Sequence, residues 1–222
     1  MRAIIALTAA AALLGGVLAP TLVQAQQAGP VAGAVPAPSD VVEEAAQGIL
    51  KALDADRDTY RKDAAKREAL MSQYLLPHLE TERAAQLVLG QHWRAATPDQ
   101  RKRFINAFYH STLSNYGTAV AEFTASRLKV YHDPVEPGKT RTTVRTEIKR
   151  DSGAPVAVNY QMELTDHGWQ AYDVSVDGIS YVKSYRDDFG AQIDAQGLDA
   201  VIARLEKGDK PAGVGLSIKA RT

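Results

Sequence analysis

The chain has 222 residues, 26 basic and 26 acidic side chains, and no cysteine. That balance excludes the basic surface a nucleic-acid partner would want. A fold without disulfides must be held by its core alone, and about 200 residues suffice for that as one domain.

Residues 1–25 read as a secretory signal peptide. Arg2 supplies the positive start, residues 4–18 are apolar, and Val23-Gln24-Ala25 is a small-residue cleavage site. The apolar core is short for a membrane span. Cleavage removes Arg2 and no acid, which shifts the net charge from zero to −1. Export without cysteine fits a bacterial periplasm better than the outside of an animal cell, where small domains tend to carry disulfides.

Residues 26–38 are rich in Gly, Pro and Ala without periodicity and read as a flexible leader. Ser39 is expected to cap a helix along which Val42, Ala45, Ala46, Ile49 and Leu53 recur, stopped by the charges of residues 54–58. A second helix is expected over 63–76, interrupted by Pro77, and a third over 80–94. Thr97-Pro98-Asp99-Gln100 is the clearest helix start. Threonine caps, proline suits the first helical position, and glutamine closes a capping box. The helix it opens carries Phe104, Phe108, Leu113, Tyr116, Val120 and Phe123 on one stripe.

From Arg127 the period becomes two. Leu128 and Val130 begin one strand, and residues 140–149 form a second with Val144 and Ile148 inward. A hairpin then follows. Val158, Tyr160, Met162 and Leu164 face one way before the Asp166-His167-Gly168 turn, and Tyr172, Val174 and Val176 after it. On this reading Ala171 lies on the wet side. Ile179, Val182, Tyr185, Phe189 and Ile193 define another helix, residues 198–205 a last one, and residues 207–222 a disordered tail. The expected fold is α+β: a four-stranded antiparallel meander packed against N-terminal and C-terminal helices in one domain over 39–206.

Chemistry is hard to find in this pattern. Gly138-Lys139-Thr140 lacks the upstream glycine of a phosphate loop and precedes a strand. The five histidines show no ligand spacing, so no metal is expected. Ser180, Asp173 and a histidine could be drawn as a triad, but Ser180 has no glycine-flanked nucleophile turn. No catalytic residue and no cofactor are expected. A curved sheet facing long helices can leave a cavity or a filled core, and both remain open at this point.

The run Leu87-Val88-Leu89-Gly90-Gln91-His92-Trp93-Arg94-Ala95-Ala96-Thr97-Pro98-Asp99-Gln100-Arg101, with Phe104, Phe108 and Tyr116 after it, resembles the MlaC, or toluene-tolerance, family. So does Trp169-Gln170-Ala171-Tyr172-Asp173-Val174 followed by Asp177-Gly178-Ile179-Ser180. The likeness spans residues 41–205. It departs at Leu79-Glu80, where an aromatic and an aspartate are expected. The resemblance implies a periplasmic phospholipid carrier with an apolar cavity, no enzymatic activity and no metal. It also implies traffic between an outer-membrane lipoprotein–porin complex and an inner-membrane ABC transporter. The chain is expected to be a monomer. Pocket residues are a class of side chain, so the candidate lipid-binding set comes from the alternation: Phe104, Phe108, Tyr116, Val144, Ile148, Val158, Tyr160, Met162, Tyr172, Val174, Val176 and Val182. Charges at 101–103 and 186–188 are candidates for docking. Competing expectations are a carrier of another hydrophobic ligand (a hopanoid, a sterol-like lipid or a solvent), an interaction module with a filled core, and a hydrolase.

Overall fold

The computed structural model describes residues 35–120, 127–150 and 152–209, and only the backbone of 115–120. The expected signal peptide, most of the expected leader, the tail beyond 209, the side chains of Tyr116 and Val120, and Phe123 lie outside the described residues. The described chain is α+β. Its helices are α1 (Pro38–Lys62), α2 (Ala64–Leu75), α3 (Thr81–Leu89), α4 (His92–Ala95), α5 (Pro98–Val120), α6 (Tyr181–Gln196) and α7 (Leu198–Glu206). Its strands are β1 (Leu128–Val130), β2 (Arg141–Ile148), β3 (Val156–Thr165), β4 (Gly168–Val176) and β5 (Ile179–Ser180). They form one antiparallel sheet in the order β1-β2-β3-β4-β5. The meander therefore has a fifth, two-residue strand where a helix start was expected at Ile179.

Local chemistry sets most boundaries. The capping box forms: the Gln100 amide donates to Thr97 Oγ1 at 3.2 Å, and the Thr97 amide donates to Gln100 Oε1 at 2.9 Å. Ser39 is not a cap. Pro38 takes the first helical position, Ala37 precedes it without a side-chain cap, and Ser39 is buried one step inside. The charged stretch at 54–58 does not end α1 but kinks it, with Asp56 at φ −155° and ψ 62°. The third expected helix breaks into α3 and α4 because Gly90 adopts φ 53° and ψ −119°, a conformation that L side chains resist. At the departure from the family pattern, Glu80 accepts from the Arg83 amide at 2.7 Å, doing the capping work of the expected aspartate.

The hairpin holds a second correction. Tyr160 pairs with Val174 and Val158 with Val176, but the register shifts at Gln161/Met162, so that Met162 pairs with Ala171 and Leu164 with Trp169. Tyr172 is the extra residue of a β-bulge. A one-residue slip moves everything before it to the opposite face. Ala171 and Trp169, on the wet side by strict alternation, are buried.

Three apolar clusters hold these elements. The largest joins α3 to α7: Phe104 stacks on Phe108 with centroids 5.6 Å apart, and Phe189 meets both rings edge-on. A second joins the start of α1 to the sheet through Val41, Val42, Val144, Met162 and Trp169. A third joins α1, α2 and α5 through Ile49, Leu53, Leu70, Met71 and Leu113. Phe104→Ala should lower stability by about 3–5 kcal/mol, on the order of 10 °C in melting temperature by circular dichroism, because a wholly buried ring leaves a void.

Candidate functional site

Where the three clusters approach one another they do not merge, and a partly enclosed cavity of about 330 Å³ lies between them. That is within the range of small-molecule pockets. One wall is the inner face of the sheet, with Leu128, Ile148, Tyr160, Met162, Ala171 and Val174. The opposite wall is α1, which turns Val41, Val42, Ala45, Ala46, Ile49 and Leu50 inward at helical spacing. Met71 and Leu75 of α2, Phe108 and Leu113 of α5, and Val182 and Tyr185 of α6 close the sides. Small residues on α1 leave the volume that larger ones would fill.

Of the twelve sequence-based candidates, Phe108, Ile148, Tyr160, Met162, Tyr172, Val174 and Val182 stand on the cavity wall. Four do not. Phe104 is one turn too far toward the α5 N-terminus and packs between Phe108 and Phe189. Val144 packs against Val41 and Val42 in the sheet cluster. Val158 is buried beside Thr146, whose hydroxyl donates to the Val158 carbonyl at 2.8 Å. Val176 pairs with Val158 and Ile179. The Tyr116 side chain lies outside the description. The α1 stripe was legible as apolar but not as a cavity wall, since a helix that covers a sheet ordinarily fills the space beneath it.

Polar groups on the wall are few. Asp173 would be an ionised group in apolar surroundings, but both carboxylate oxygens are occupied. Ser180 Oγ donates to Oδ2 at 2.6 Å and the Val182 amide to Oδ1 at 3.0 Å, while Ser180 Oγ itself accepts from the Lys183 amide at 3.1 Å. Asp173 and Ser180 thus work together as the N-terminal cap of α6. The two members of the imagined triad do meet, with helix capping as their role. Burial pushes the Tyr109 phenol well above its ordinary range, and the charge of Glu80 adds to the rise. Burial raises Tyr160 also, partly opposed by its hydrogen bond to Thr146. Tyr109 and Tyr160 therefore face the cavity as neutral phenols.

Among the described residues no group of three His, Asp or Glu side chains is arranged to hold a metal ion, and no helix is long and apolar enough to cross a membrane. The three arginines among the six candidate docking charges are engaged within the chain. The Arg101 guanidinium lies 4.8 Å from the Trp93 ring centre, Arg103 makes two 2.9 Å hydrogen bonds to Glu206, and Arg186 Nε donates to the Leu87 carbonyl.

The family model described as MlaC protein matches residues 43–207. The chain is 27% identical over 163 residues to the toluene tolerance protein ttg2D of Pseudomonas putida, covering 73% of this chain and 75% of that one. It is 19% identical over 173 residues to the intermembrane phospholipid transport system binding protein MlaC of Haemophilus influenzae, covering 77% and 81% respectively. Among solved structures, a phospholipid-binding protein from Ralstonia solanacearum, in complex with a phospholipid, superimposes with a TM-score of 0.70 at 24% identity. That match covers 78% of this chain and 97% of the other, and it shows a shared fold.

The tyrosine environment predicts alkaline behaviour. With its folded pKa raised, Tyr109 stays neutral while the unfolded phenol ionises above pH ~10, so its contribution to stability is intact below pH 10 and is lost as pH rises beyond it. Tyr109→Phe should recover about 1 kcal/mol of the stability that the wild type loses between pH 8 and pH 11, measured by urea unfolding at both values.

Proposed function

Since the chain belongs to the MlaC family, we propose that it is a phospholipid carrier of the periplasm that shields acyl chains in the cavity between α1 and the sheet. It acts by binding and release, without a chemical step. The supporting observation is that wall itself: predominantly aliphatic and aromatic, with its single carboxylate already satisfied by Ser180 and Val182. We read residues 39–206 as the carrier domain, preceded by a cleaved signal peptide and a leader. The lipid-contacting set is Phe108, Ile148, Tyr160, Met162, Tyr172, Val174 and Val182 together with the α1 stripe.

The physical case is one of barrier height. A diacyl lipid carries about thirty methylenes, and at ~0.8 kcal/mol each their exposure to water costs on the order of 20 kcal/mol. Each ~1.4 kcal/mol slows transfer tenfold, so unassisted passage through an aqueous space is negligible. A soluble carrier removes the barrier only if the tails stay covered between donor and acceptor. Loading and unloading then take place at membrane complexes, an outer-membrane lipoprotein–porin assembly and an inner-membrane ABC transporter. The nucleotide energy that sets direction comes from the transporter.

Protein purified from an exporting bacterial host and extracted with organic solvent should yield close to one diacyl phospholipid per chain by mass spectrometry. Ala45→Phe, which places a ring in the cavity from α1, should weaken lipid retention about tenfold, the equivalent of overpacking by ~1–3 kcal/mol. Lipid-free protein with an unchanged melting temperature in the presence of lipid would refute the carrier reading.

A further inference from the structure

The apolar wall has a polar corner. Leu79 bridges to Ala171, which is level with Met162 and Thr142, while Leu128 and Ile148 lie six residues further along β2. At ~3.3 Å per residue the cavity wall therefore runs about 20 Å along the sheet. His78, an exposed residue, stands on the wall beside Leu79 at the first end. Tyr109 of α5 reaches the same end. The charge of Glu80 acts on its phenol, and the Glu80 amide donates to the Ala171 carbonyl at 2.9 Å. Thr112 follows three residues later, also on the wall, so the two side chains are neighbours on one helix face.

Both hydroxyls of this corner are unpaired. The Tyr109 hydroxyl makes no hydrogen bond among the described residues, whereas that of Tyr160 on the sheet wall bonds to Thr146. Thr112 Oγ1 is buried and likewise has no partner among them. A threonine inside a helix ordinarily returns its hydroxyl to the carbonyl one turn back, and it has a second rotamer to offer. A buried hydroxyl left unpaired carries its full desolvation cost, and native interiors hold few such groups. The charge of the corner decides which acceptor suits it. With the Glu80 carboxylate already acting on Tyr109, an anion brought there would meet a like charge. An ester carbonyl accepts a hydrogen bond and brings no charge. A diacyl lipid carries two of them a few bonds apart on its glycerol, and the two side chains stand about 5–6 Å apart at their Cβ atoms.

We propose that Tyr109 and Thr112 donate hydrogen bonds to the ester carbonyls of a bound diacyl lipid. The glycerol then sits at the Leu79 end, the headgroup leaves past His78, and the tails run along the sheet toward Leu128 and Ile148. This rests on the carrier reading above and adds an orientation and a chemical preference to it. The recognised group is the acyl ester, common to diacyl lipids of every headgroup. An ether-linked lipid with the same headgroup and tails lacks it.

The test uses lipid-stripped protein and two water-soluble phosphocholines, dihexanoyl (ester-linked) and di-O-hexyl (ether-linked), titrated by calorimetry. The wild type should bind the ester about fivefold to thirtyfold more tightly, as expected for one or two uncharged hydrogen bonds. Tyr109→Phe and Thr112→Val should each lower the ester-to-ether ratio about fivefold while leaving the ether affinity in place, and Thr112→Ser should keep most of the ratio. Circular dichroism melts of the lipid-free variants check folding and supply a second readout. Thr112→Val removes an unpaired hydroxyl, so its melting temperature should equal or exceed that of the wild type. A lower one would reveal an internal partner and overturn the role of Thr112. A wild-type ratio near one, a ratio unchanged in both variants, or an equal loss of both lipids would overturn the carbonyl assignment while leaving the carrier reading intact. Wild-type protein that binds neither lipid would sink the carrier reading and this inference with it.

Discussion

The aromatic pack between α5 and α6 is the constraint on which the rest depends. Phe104, Phe108, Tyr185 and Phe189 interlock through stacked and edge-on contacts with centroids 5.2 to 5.9 Å apart. Together with α3 and α7 they form a helical body that is complete without the sheet. The sheet must then find its own cover, and the start of α1 supplies it through Val41 and Val42. Neither body can collapse onto the other, because each is already close-packed. The cavity is what remains between these two cores and the α1–α2–α5 cluster.

Such a void carries a thermodynamic cost. Apolar linings without neighbours forfeit dispersion contacts, and cavities of this order in other proteins cost several kcal/mol. That is a sizeable fraction of the ~5–15 kcal/mol by which domains are ordinarily stable. Filling the space with hydrocarbon recovers those contacts, and whatever binds the folded chain alone also stabilises it. Shelter for the ligand and stability for the protein are thus two sides of one linkage.

Much of this was legible in the sequence wherever a local rule decides a local structure. The capping box at Thr97 and Gln100, the alternation of β2 and β3, and the two-residue turn before Gly168 each follow from neighbouring residues. What escaped depends on longer-range geometry. Alternation carries no mark of a register shift, so the bulge at Tyr172 hid Ala171 and Trp169 on the wrong face. Gly90 sits in a helical pattern and breaks it only because its backbone turns to positive φ. Phe104 and Phe108 share a stripe, yet one is core and the other wall, a difference set by where α6 crosses α5. Seven of the candidate residues reached the cavity because they shared a face with it. The α1 wall was missed because periodicity shows which residues turn inward but not whether anything meets them.

The Leu79–Ala171 bridge has a further consequence for how such a sheet survives in solution. The outer border of β4 would otherwise run bare beyond the two residues that β5 covers. Instead the Glu80 amide donates to the Ala171 carbonyl at 2.9 Å, and the segment after α2 lies parallel along that border. At the opposite border β1 is only three residues long, and Lys129 stands at its centre. Short, charged or covered margins deny an incoming strand the row of free donors and acceptors that amyloid-like growth needs. A chain that keeps an oily hollow without disulfides can therefore expose its seams to a crowded compartment and still resist polymerising.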